Sequence, residues 1–134
     1  MDLTVDAEIP SFVRETGIEN WNRYAAVMDE FVPLHMDDEA GKKQGFSGAI
    51  GMGNLQWAYF HNVVRDWLAD NGAIKQMTIQ FQQPNLKDTT VTARGKIKEV
   101  EDAPEGKIVT LELWTEDNND RKLAVGQAKV LVNT

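Results

Sequence analysis

The stretch Asn54-Leu55-Gln56-Trp57-Ala58-Tyr59-Phe60-His61-Asn62-Val63-Val64-Arg65-Asp66-Trp67-Leu68-Ala69-Asp70 decides the architecture of this chain. Its apolar residues recur at three- and four-residue spacing, the period of a helix. Leu55, Trp57, Ala58, Tyr59, Phe60, Val63, Val64, Trp67 and Leu68 cover more than one narrow stripe. A helix this apolar is expected to be wrapped by other structure. Asn71-Gly72 is a good stop signal behind it. Downstream the period changes to two. Met77, Ile79 and Phe81 alternate with Thr78, Gln80 and Gln82, which predicts a strand. Pro84-Asn85-Leu86-Lys87-Asp88 reads as a turn. Further strands are expected at 89–100 and 107–115, joined by the hairpin Ala103-Pro104-Glu105-Gly106, with Val109, Leu111 and Leu113 on one face. A last strand at about 122–132 puts Ala124, Gly126, Ala128, Val130 and Val132 on one face. Small residues there let a helix lie close to the sheet.

Upstream the signals are shorter. Ile18, Trp21, Tyr24, Ala25 and Met28 predict a first helix over 18–29, ended by Pro33. Asp37-Asp38-Glu39-Ala40 can open a brief helix, its acids suiting the positive N-terminal end. A first strand is expected near residues 10–14. Together these elements make an α+β plan, an antiparallel sheet of about five strands around one long central helix. That is the hot-dog arrangement. It leaves a sheet edge and a helix flank open, so a dimer is expected.

The 134 residues are read as one domain, long enough to bury a core without staples. The absence of cysteine excludes disulfides and thiolate chemistry. A net charge of −7 argues against nucleic acid, whose binding needs clustered Lys and Arg. The acidic start MDLTVDAEIP lacks the apolar run of a signal peptide, and no stretch suits a membrane span. A cytoplasmic protein is expected. Two histidines and no cysteine offer no convincing metal-ligand set.

The chemistry concentrates in Tyr24-Ala25-Ala26-Val27-Met28-Asp29-Glu30-Phe31-Val32-Pro33-Leu34-His35. A carboxylate stands five residues before a histidine, with a proline between, which can set an acid/base pair at a pocket mouth. Imidazole titrates near neutrality and suits proton transfer. A glycine-rich run from Gly45 to Gly53 then leads into the long helix, whose first N–H groups are unpaired donors.

These residues resemble the MaoC-like family of acyl dehydratases and (R)-specific enoyl-CoA hydratases. The family pattern Y-A-x-x-S-G-D-x-N-P-I-H-x-D is matched here by Tyr24, Ala25, Pro33, His35 and Asp37. At the helix start, F-x-G-x-I-A-H-G-M-L is matched by Phe46, Gly48, Ile50, Gly53 and Leu55. Phe81, Pro84, Asp88 and Thr89 carry a strand–turn element, and Gly126, Ala128 and Val130 close the chain. The departures are specific: the family's aspartate falls on Glu30, its asparagine on Val32, its glycine on Asp29 and its helix-start histidine on Met52.

The resemblance implies a lyase that adds water to a trans-2-enoyl thioester, or runs the reverse. No metal or redox cofactor is implied, and the substrate is carried by CoA or acyl carrier protein. His35 and Glu30 would share the proton work. The Gly53 N–H would hold the thioester oxygen, a kind of contact typically worth about 3–4 kcal/mol of barrier. Phe46, Met52 and Trp57 would touch the acyl chain, and Lys42, Lys43 and Arg65 are candidates for phosphate contacts. His61 reads as a core or interface residue, and Asp29 as a solvated acid. Two other readings compete. One is a non-catalytic subunit paired with an active hot-dog chain. The other is a thioesterase, for which the helix offers only Asp66 and Asp70.

Overall fold

A computed structural model describes residues 1–133. Strand β1 (Glu8–Thr16) leads into helix α1 (Ile18–Met28), and a single 3-10 turn, Pro33–His35, precedes the short helix α2 (Asp38–Lys43). The long helix α3 (Gly53–Leu68) is followed by β2 (Gly72–Phe81), β3 (Thr89–Ala103), β4 (Gly106–Asp117) and β5 (Lys122–Asn133). The five strands form one antiparallel sheet in the order β1-β3-β4-β5-β2. This is the α+β hot-dog arrangement expected from the change of period after Asp70.

Strand alternation sets the inner face. Val91, Ala93 and Ile97 of β3, Val109, Leu111 and Leu113 of β4, and Ala124, Ala128 and Val130 of β5 are all buried. They meet Leu55, Tyr59, Phe60, Val63, Val64 and Leu68 of α3 in one cluster. Small residues on β5 admit the helix: a Cβ on Gly126 would lie 2.9 Å from the Phe60 ring and 2.0 Å from the Thr78 carbonyl oxygen. Sheet irregularities have local causes. Ile9 pairs with Gly95 and Phe12 with Ala93, so Pro10 and Ser11 oppose one residue of β3. Proline lacks the N–H a ladder needs, and an edge strand with a bulge tolerates it. On β5, Thr115 faces Ala124 and Glu116 faces Lys122, which makes Leu123 the extra residue and buries it beside Ala124.

The outer flank of α3 differs from the expectation of a wrapped helix. Trp57, Ala58, His61 and Asn62 are half-buried, and Arg65 is exposed. The sheet covers one side of α3, and the other faces outward. Among the described residues no helix is long and apolar enough to cross a membrane.

Candidate active site

The first helix, expected over 18–29, spans Ile18–Met28, but Pro33 is not what ends it. The helix stops at Met28 because Asp29 takes the left-handed conformation (φ 54°, ψ 40°). The Glu30 N–H reaches back to the Ala25 carbonyl at 3.0 Å, a Schellman-type closure. Such positions favour glycine, and aspartate is among the few L-residues that tolerate them. Asp29 therefore stands where the family pattern has glycine for a backbone reason. We expect Asp29→Gly to raise the thermal midpoint modestly, by about 0.5 kcal/mol of stability, through relief of this conformation. A lower midpoint would mean that the exposed carboxylate makes a stabilising contact of its own.

From Glu30 the chain runs extended to Val32 (φ −92°, ψ 123°), as a residue before proline should. Pro33 then starts the 3-10 turn, a position where its missing N–H costs nothing. The turn is closed by the His35 N–H on the Val32 carbonyl at 3.0 Å. Asp37 caps α2, its carboxylate accepting from the Glu39 N–H at 3.2 Å.

The glycine-rich run is threaded between this turn and the β2–β3 turn. Asp38 accepts from the Ala49 N–H at 3.0 Å and from Lys87 Nζ at 2.6 Å. The Lys87 ammonium, and then the Ala49 N–H, hold the Asp38 carboxyl below its ordinary range. The Ile50 N–H donates to the Leu34 carbonyl at 3.1 Å, and the Gly51 N–H to the Asn85 carbonyl at 2.8 Å. Gly51 is needed here, because a Cβ would lie 2.9 Å from Trp21 Nε1 and 3.0 Å from Asn85 Oδ1. The run thus delivers the start of α3 to the histidine.

His35 is fixed by its ring. Nδ1 lies 2.8 Å from the Ile50 carbonyl oxygen, which can only accept, so Nδ1 carries the proton. Nε2 is left as the lone-pair nitrogen. His35 stands where two cavities meet, and Met52 and Gly53 line both. One cavity, about 220 Å³, is completed by Tyr24, Glu30, Val32 and Asn54. Burial, and then the charge of Glu30, push the Tyr24 phenol above its ordinary value. The other cavity, about 290 Å³, runs along Ile50, Gly51, Gln56 and residues 81–84. Met52 caps α3 without a side-chain acceptor role. The first N–H groups of the helix, those of Gly53 and Asn54, therefore remain available to a ligand. The Phe81 ring packs against Gly53, 3.1 Å from where a Cβ would be.

Of the residues singled out in the sequence, the fold brings Glu30, His35, Met52 and Gly53 together. Trp57 lines a third cavity of about 460 Å³ on the open flank of α3, with Tyr24, Met28, His61 and Arg65. Its ring meets His61 edge-on at 5.5 Å. Burial, and then Arg65, push the His61 imidazole below its ordinary value. Phe46 sits after α2 with its N–H on the Gly41 carbonyl, and lines neither cavity that holds His35. Lys42 pairs with Glu39 at 3.3 Å, and Lys43 is exposed. Asp66 and Asp70 are exposed. Gln56, which no sequence motif marks, lines the second cavity. The signal was there: a polar residue four positions before Phe60, inside the buried stripe.

The sheet, the central helix and this site at the helix start define a hot-dog protein. The profile of the MaoC like domain matches residues 3–122, and the chain belongs to that family. No curated protein matches it. Among solved structures it is similar to an (R)-hydratase from A. caviae involved in PHA biosynthesis, at 21% identity and TM-score 0.85, with 97% of each chain covered. The ChsH1-ChsH2 complex from Mycobacterium tuberculosis aligns at 17% identity and TM-score 0.85, covering 97% of this chain and 98% of that one. The HadBC 3R-hydroxyacyl-ACP dehydratase complex from the same organism aligns at 15% identity and TM-score 0.76, with 98% of each chain covered. At these identities the likeness speaks for the fold alone.

Proposed function

We propose that this chain is a hydratase of 2-enoyl thioesters or, in the reverse direction, a dehydratase of 3-hydroxyacyl thioesters, carried by CoA or acyl carrier protein. The observation that carries the reading is the fixed tautomer of His35 beside the start of α3. In the hydration direction, Nε2 takes a proton from water as the oxygen bonds to C3 of the enoyl group. The electron pair of the double bond shifts toward the thioester oxygen, which accepts from the Gly53 N–H. A proton then returns to C2, with Glu30 and the imidazolium sharing that delivery. Enoyl thioester plus water gives 3-hydroxyacyl thioester, with no net change in oxidation state and no redox cofactor required. Met52 contacts the acyl group. Trp57 and Phe46 would reach it only from outside the two cavities at His35.

The test is loss of enoyl absorbance with crotonyl-CoA and with a medium-chain enoyl-CoA. Wild type is expected to hydrate at least one, and Glu30→Gln to lose about a hundredfold in kcat/KM, the scale of a general acid/base group. A folded wild type inert on every chain length would sink the reading.

A second reading rests on Glu30 being exposed and on Val32, which cannot hydrogen-bond through its side chain. Here the chain would be a non-catalytic subunit beside a second hot-dog chain, as the two-chain complexes among its structural relatives suggest. Self-dimerisation with activity in the purified chain would count against it. A thioesterase is disfavoured, because neither Asp66 nor Asp70 lines a cavity with His35.

A further inference from the structure

We propose that Gln56 makes the inner end of this site selective for acyl groups that carry a hydrogen-bond acceptor a few carbons beyond the thioester. The inference rests on the thioester reading and deepens it.

Gln56 is 4% exposed and lines the cavity that runs from His35 and Gly53 to Phe81 and Pro84. Its amide oxygen accepts from the fully buried Thr115 hydroxyl at 2.6 Å. That bond leaves the amide nitrogen as the free end. The nitrogen is buried and has no hydrogen-bond partner among the described residues. An unpartnered buried donor is costly, and the neighbouring positions of α3 on this face are apolar. A leucine at this position would remove the orphan nitrogen but leave the buried Thr115 hydroxyl without its acceptor. Gln56 lines the cavity, and its unpartnered donor is therefore read as a recognition group.

Gly53 and Gln56 stand three residues apart on α3, about 4.5 Å along its axis. With the thioester oxygen on the Gly53 N–H, three to four bonds of an acyl chain span that distance. An oxygen near the fifth carbon would then accept from Gln56 Nε2. A plain alkyl chain would leave the nitrogen without a partner and forgo that bond. Gln82 and Gln83 at the far wall add to the polar character of this end.

The experiment compares hexanoyl-CoA with 5-oxohexanoyl-CoA by isothermal titration. Both are saturated, so binding is read without turnover. Wild type is expected to bind the oxo compound about tenfold more tightly. In Gln56→Leu the preference should disappear or reverse. Gln56→Leu combined with Thr115→Val removes both halves of the buried hydrogen bond and guards against a misfolded single variant, with folding checked by circular dichroism. Equal affinities in wild type, or a preference that survives in the variants, overturn the inference while leaving the thioester reading intact. If neither compound binds, the thioester reading falls and the inference falls with it.

Discussion

His35→Ala is expected to lower kcat/KM for enoyl thioester hydration by 10²–10⁴-fold, the usual contribution of a positioned general base. The size follows from how the ring is held. Its Nδ1–H is committed to the Ile50 carbonyl, so the lone pair can sit only on Nε2, and His35 lines both cavities. Alanine removes both the lone pair and the tie to the loop. His35→Asn separates the two: its amide N–H can still donate to the Ile50 carbonyl, but no base remains. Equal losses in both variants identify the base. An asparagine variant with nearly wild-type kcat would show instead that His35 only positions the loop. Thermal midpoints of the two variants complete the comparison. The loop has independent anchors in Asp38, Leu34 and Asn85, so neither variant should unfold.

Phe60→Ala is expected to cost about 3–5 kcal/mol of folding stability. That is a large part of the 5–15 kcal/mol by which such domains are typically stable. The ring is completely buried and packs over β5 where Gly126 makes room for it. Removing it leaves a cavity between helix and sheet that rigid strands cannot close. Urea unfolding should show a lower midpoint with an unchanged slope. A loss below about 1 kcal/mol would mean that the site collapses readily or that the ring is not core.

The companion variant Gly126→Ala tests the same contact from the other side. An added Cβ there would meet Phe60, which can move, and the Thr78 carbonyl of β2, which cannot move without parting the strands. Phe60→Ala should therefore fail to rescue Gly126→Ala. Rescue would assign the whole conflict to the ring.

Much of this fold was legible without coordinates. The apolar spacing from Leu55 to Leu68 marked the central helix, and the alternation of β4 and β5 marked the face that covers it. Boundaries were less so. Strand β1 extends beyond residues 10–14, because its pairing with β3 continues on both sides of the Pro10 bulge. The periodicity places the end of α1 within a residue, but the local rule that makes Pro33 its stop misses the cause. The backbone had already left the helix at Asp29, in a conformation that the side chain alone does not announce.

The site divides in the same way. Sequence determined which groups are present and their order along the chain: Glu30, then Pro33, then His35, then the glycine run and the helix start. It also determined the helix and strand periods, because these depend on near neighbours. Tertiary structure alone decided which groups meet. His35 acquires its tautomer from the carbonyl of Ile50, fifteen residues away. Trp57 lies only four residues beyond Gly53, yet the turn of the helix carries it to another cavity. Gln56 becomes distinctive only because Thr115, on a strand fifty-nine residues away, takes one end of its amide. Hydrogen-bond partners and cavities are properties of surfaces brought together by packing, and no spacing within one segment encodes them.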